Sequence, residues 1–124
     1  KAANRHGCNK VALGHHADDL IETLLMNLIY SGQIKSMPPK LQADKEDQIL
    51  IRPLAYVYES DLIGLNQYFD FPIVPCNLCG SQATKRQFIK GLLTQLETEN
   101  PHLKGNLLHA LENVTPRHLL PCEF

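Results

Sequence analysis

A short apolar run from Lys10 to Leu13 stops at Gly14, and the polar cluster His15-His16-Ala17-Asp18-Asp19 follows directly. Behind it Leu20, Ile21, Leu24, Leu25, Leu28 and Ile29 recur at helical spacing as far as Ser31-Gly32. The first run predicts a buried strand and the second an amphipathic helix, with Asp18 or Asp19 as cap and Glu22 a turn further on. Strand, polar loop and helix in that order form an α/β unit. Ligands of such units sit at the carboxyl ends of the strands, which is where this His-Asp cluster falls.

The rest of the chain continues the pattern. Pro38-Pro39 rules helix and central strand out of 33–40, and the charged stretch Leu41 to Asp47 reads as turn. Gln48 to Arg52 carries the β-branched run Ile49-Leu50-Ile51, a second buried strand closed by Pro53. A short helix is predicted over about Glu59 to Tyr68, and Phe71 to Val74 is extended. Ser81 or Thr84 starts a helix to about Thr98 with Phe88, Ile89, Leu92, Leu93 and Leu96 on one face, and Asn100-Pro101 ends it. Leu103 to Val114 reads as a last helix before an irregular tail. Two segments are expected, 1–74 from the α/β domain and 75–124 with the cysteine turn and the C-terminal helices.

At 124 residues with 44% hydrophobic content, a single packed domain is expected. The longest apolar run, around Leu24 to Tyr30, contains Asn27 and is too short to span a bilayer. With no signal-peptide pattern in view, the cytoplasm is the expected location. A net charge of −1 gives no bulk argument for nucleic acid, so an RNA partner must meet a local patch. Lys1-Ala-Ala-Asn-Arg-His-Gly7 reads as the end of a helix, as expected of a piece of something longer.

Cys76 and Cys79 form a C-x-x-C pair in Pro-Cys-Asn-Leu-Cys-Gly. Pro75 fixes φ before the first thiol and Gly80 permits a tight turn after the second, a setting that suits a soft metal, an iron–sulfur cluster or sulfur transfer. Structural zinc is the plainer alternative, but Cys8 and Cys122 stand at no close spacing to complete a four-ligand site. Cys8, just before a strand, reads as a core or near-core thiol. Asp18 and Asp19 at a helix start can hold Mg²⁺ beside phosphates, or simply complement the helix dipole. Arg52 can reach a phosphate by a bidentate fork or snorkel over apolar neighbours. Lys85-Arg86, Lys90 and Arg117-His118 read as solvated faces, weak evidence for an RNA backbone contact.

Taken together, Gly14-His15-His16-Ala17-Asp18-Asp19, Met37-Pro38-Pro39-Lys40, Ile51-Arg52-Pro53-Leu54 and Pro75-Cys76-Asn77-Leu78-Cys79-Gly80-Ser81-Gln82 resemble the C-terminal part of the tRNA 2-thiocytidine synthetase family. The match is ordered and runs over nearly the whole chain. It implies a PP-loop ATP pyrophosphatase with the adenine nucleotide α-hydrolase-like (Rossmann-like) fold, a parallel sheet with helices on both faces. The implied reaction adenylates the C2 oxygen of an anticodon-loop cytidine in tRNA with Mg-ATP and then replaces that oxygen with sulfur. A [4Fe-4S] cluster held by three cysteines would leave one iron to carry the sulfur.

By the same resemblance, Asp18 and Asp19 belong to the second nucleotide motif, and His15, His16 and Arg52 line its crevice. Cys76 matches the third cluster ligand, while Cys79 matches a family position to which the resemblance gives no role and stays a metal candidate by its C-x-x-C spacing alone. A cysteine desulfurase-type sulfur donor and a homodimer are the implied partners. The family's S-G-G-x-D-S loop and its other C-x-x-C do not occur in these 124 residues. Only two strands at one side of the sheet are therefore expected here, and this piece alone is expected to lack ATP turnover and a stable cluster. The rival reading from another class is a zinc-stabilised RNA-binding module.

Overall fold

The computed structural model describes residues 5–42, 48–70 and 80–121, without the side chains of 80–83. Gly7 takes φ +69° two residues after helical Arg5, the left-handed stop expected of it. The chain then enters strand β1 (Lys10–Ala12). β-branched Ile49 and Ile51 favour the extended backbone of strand β3 (Ile49–Ile51), which lies parallel to β1 with Val11 opposite Leu50. Hydrogen bonds from Leu13 N–H to the Ile51 carbonyl and from Ile49 N–H to the Asn9 carbonyl, at 2.9 and 3.0 Å, extend that pairing at both ends.

A strand that the turn-like composition did not predict, β2 (Lys40–Gln42), runs antiparallel to β3 with Leu41 opposite Leu50. Among the described residues the sheet is therefore mixed, with three strands in the order β1-β3-β2 rather than the two expected. Pairing with β3 overrides the weak local propensity of Lys40 to Gln42. The tandem prolines lie just outside the ladder, where a missing N–H costs no cross-strand bond.

The expected burial of the strands is not observed. Lys10 and Ala12 are exposed, Val11 and all of β3 are half-buried, and β2 is exposed. Cys8 is exposed too, not a core thiol. The principal core instead surrounds helix α1 (Ala17–Met26), whose Ala17, Leu20, Ile21 and Leu24 repeat along one face and are buried.

Helix α1 then widens into a single π turn, Asn27–Ser31, closed by Gly32 at φ +67°. Leu28, Ile29 and Tyr30 consequently leave the buried stripe and stand 41–50% exposed. Helix α2 (Glu59–Phe69) buries none of its residues. Helix α3 (Gly80–Glu99) contributes Ile89 and Leu93, and helix α4 (Leu103–Ala110) contributes Leu108. Together with Ala55 these side chains close over Ala17, Leu20 and Ile21. Burying a side chain such as Ile21 or Ile89 contributes about 1.5–3 kcal/mol.

Phe88 and Leu96, expected on the apolar face of α3, are 58% and 39% exposed. Helix α4 ends at Ala110, short of Val114, and a 3-10 turn follows at Pro116–His118. The expected extended run 71–74 lies outside the described residues. No described helix is long and apolar enough to cross a membrane.

Candidate nucleotide site

Loop 13–16 leaves the carboxyl end of β1, and Arg52 leaves the carboxyl end of β3 beside it. The parallel register makes His15 and Arg52 neighbours although 37 residues separate them. Arg52 donates three times. Its backbone N–H bonds the Pro39 carbonyl at 2.8 Å, Nη1 the Pro38 carbonyl at 2.6 Å, and Nε the Nδ1 of His15 at 3.2 Å. The Met37-Pro38-Pro39 segment, the end of β3 and the His15 loop are thus held at one point.

His16 is the residue that opens α1, with extended backbone at φ −112°. Asp19 stands three residues on, and its Oδ2 accepts the His16 N–H at 3.0 Å, with His16 Nε2 3.5 Å away. The cap residue of α1 is thus His16 and not Asp18 or Asp19 as expected; Asp19 takes the reciprocal place in the capping box, and Glu22 takes no part in it.

Asp18 turns the other way, into the helices. Its Oδ1 accepts the N–H of Glu59 at 2.7 Å, satisfying an open donor at the start of α2. Its Oδ2 accepts from the Lys104 ammonium of α4 at 2.8 Å. The carboxylate is buried. Burial alone would raise its pKa, but the Glu59 N–H and Lys104 outweigh that and hold it below the ordinary 3.8. Helices α1, α2 and α4 therefore meet on this one side chain.

One turn along α1, Glu22 is buried between Arg86 at 3.0 Å and Lys90 at 2.9 Å, both on α3. Arg86 and Lys90 are therefore structural partners rather than a solvated face, and Lys90 also approaches Glu59 at 3.7 Å. The signal was present as paired spacing. Arg86 and Lys90 lie four apart on α3 and so share one face, which turns both cations to Glu22 when the helices pack. Lys85 is half-buried as well, its ammonium 5.1 Å over the ring of Tyr30. An open cleft of about 740 Å³ lies between the start of α2 and the α3–α4 connection, with Asp18, Glu59, His102 and Lys104 among its walls.

Among the described residues, no three His, Cys, Asp or Glu side chains converge as metal ligands. Asp18 does not suit Mg²⁺, because both oxygens are already taken and one partner is an ammonium. Asp19, partly exposed at the loop, can supply one carboxylate to an ion whose remaining ligands are phosphates and water. Cys76, Cys79 and Cys122 lie outside the described residues.

Paired parallel strands, with a His-His-x-Asp-Asp loop and an arginine at their carboxyl ends and a helix starting there, define an α/β unit of the Rossmann-like class. The PP-loop domain matches residues 1–95, and the chain belongs to the PP-loop family.

Two named relatives are similar over almost all of it. The tRNA-cytidine(32) 2-sulfurtransferase of Anaeromyxobacter dehalogenans (strain 2CP-C) is 54% identical over 120 residues, 96% of this chain and 41% of that protein. Its namesake from Coxiella burnetii (strain Dugway 5J108-111) is 52% identical over 123 residues, 98% of this chain and 48% of that one. The chain thus spans under half the length of these relatives. Among solved structures, the U34-tRNA thiolase NcsA from Methanococcus maripaludis, with its [4Fe-4S] cluster, superposes with a TM-score of 0.69 over 96% of this chain and 40% of that one. At 19% identity that likeness establishes the fold.

Proposed function

We propose that the protein carrying this chain is an ATP-dependent tRNA sulfurtransferase that exchanges the C2 oxygen of an anticodon-loop cytidine for sulfur. The observation that carries this reading is the 54% identity, over 96% of the chain, to a protein named for that reaction. The geometry supports it, because the His15-to-Asp19 loop lies at the carboxyl ends of parallel strands, where α/β folds hold nucleotides.

In this reading ATP lies against His15 and His16, with Arg52 at the floor of the crevice. Asp19 contributes to Mg²⁺ held mainly by phosphates. Asp18 acts one layer back, fixing the start of α1 against α2 and α4. The base oxygen attacks the α-phosphorus and pyrophosphate leaves; sulfide then displaces AMP from C2, so the oxygen departs with the nucleotide. Cys76 would supply one of the three thiolates of a [4Fe-4S] cluster, the other two coming from the family's other C-x-x-C, and a bound cluster supplies the sulfur. A cysteine desulfurase-type donor would renew that sulfur, and the intact protein would act as a homodimer.

The test is genetic. Cells lacking the protein should contain tRNA without 2-thiocytidine, and the gene returned on a plasmid should restore it, as read by nucleoside mass spectrometry. Unchanged 2-thiocytidine in the deletion would overturn the reading.

A further inference from the structure

We propose that Arg52 is a positioning residue that fixes His15 as a hydrogen-bond donor through Nε2, so that the imidazole meets an anionic oxygen of the nucleotide as a donor rather than as a base. This rests on the reading of the crevice as the nucleotide site.

A guanidinium can only donate, so the Nδ1 of His15 that receives the Arg52 Nε–H at 3.2 Å carries no hydrogen of its own. The single ring hydrogen of neutral His15 is then on Nε2. Arg52 is itself immobilised. Its backbone N–H and Nη1 grip two successive carbonyls, those of Pro39 and Pro38, at 2.8 and 2.6 Å. Proline supplies no N–H of its own there, so this segment offers the arginine acceptors and no competing donor.

With Nε and Nη1 both committed within the chain, two of the three nitrogens of the fork expected to grip a phosphate are already in use. The residue at the end of β3 thus spends its donors on orientation, and contact with the ligand passes to His15. The same bonds tie that orientation to the Met37-Pro38-Pro39 segment. A change in the path of 37–39 would be felt at His15 through Arg52.

Two measurements on the full-length protein test this. In protein labelled with ¹⁵N at histidine, long-range ¹H–¹⁵N correlation should show His15 as the Nε2–H tautomer at neutral pH, and Arg52→Gln should convert it to a mixture. An Nδ1–H tautomer in the parent protein, or a tautomer unmoved by Arg52→Gln, would overturn the assignment.

The second measurement compares amide replacements. Gln places an N–H near the position of Nε2, and Asn near that of Nδ1. His15→Asn is therefore expected to raise the KM for ATP roughly ten- to a hundredfold, the usual cost of a lost bond to a charged group, and His15→Gln, which keeps the donor but gives up the Arg52 bond, to raise it less. Equal KM values for the two variants would overturn the donor role. If the tautomer nonetheless proved to be Nε2–H, the fault would lie with the placement of ATP against His15 and not with the Arg52 bond.

Discussion

A full-length protein with Cys76→Ala is expected to lose 2-thiocytidine formation to background while keeping its fold and its affinity for ATP. The reasoning is chemical. An iron–sulfur cluster needs thiolates, and alanine removes the ligand without adding bulk. Far-ultraviolet circular dichroism and the urea midpoint check that the variant keeps its fold. Iron and acid-labile sulfide in anaerobically purified protein should fall together with activity. Retained thiolation in Cys76→Ala would remove this residue from the chemistry. Zinc at one equivalent in the parent protein, with neither iron nor sulfide, would favour the non-catalytic RNA-binding reading.

The second large effect is on stability. Asp18→Ala should cost roughly 3 kcal/mol, toward the low end for breaking a buried ion pair because the Lys104 side chain is 29% exposed. Alanine leaves Lys104 without its closest partner and the Glu59 N–H without its cap. Asp18→Asn retains an acceptor for that N–H and should cost about 1–2 kcal/mol, so the two urea midpoints separate cap from charge.

The dependence on pH follows from the direction of each shift. Asp18 is held below 3.8 in the folded chain, so its contribution is complete above that value and is lost as pH falls through the lower folded one. Burial lowers the Lys104 pKa, but Asp18 outweighs it and the net shift is above 10.5, so that contribution is complete below 10.5 and is lost as pH climbs through the higher folded value. The stability gap between the parent and Asp18→Asn should be flat between those limits and narrow outside them. A gap that did not change from pH 2 to neutrality would contradict the assignment.

Much of this architecture was legible because it rests on local pattern. The apolar spacing from Leu20 to Leu24 and the β-branched run at Ile49 to Ile51 each specify one element, and both formed. The ends of α3 and α4 were legible to within a few residues, since Asn100-Pro101 breaks any helix. Strand β2 was not legible, because Lys40-Leu41-Gln42 has little strand propensity and is extended only by its partner. The exposure of Leu28 and Ile29 was hidden as well, since nothing in the 3.6-residue spacing announces a π turn.

In the site, residue types pointed to the right neighbourhood and side-chain direction did not follow from them. Asp18 and Asp19 are adjacent in sequence, yet Asp19 serves the start of its own helix and Asp18 caps a helix 41 residues on. Helical geometry turns successive residues by about 100°, so two acids at one helix start serve different partners. Only the packing of α2 and α4 decides which is buried. Likewise Arg52 was recognisable as a cation at a strand end, while its commitment to His15 depends on the parallel pairing of β1 with β3.

The most direct test of the proposed reaction is anaerobic reconstitution of the full-length protein with tRNA, Mg-ATP and sulfide. One AMP and one pyrophosphate should form per 2-thiocytidine, with no modification when ATP is omitted. Release of ADP instead of AMP, or consumption of ATP without sulfur entering the cytidine, would contradict it.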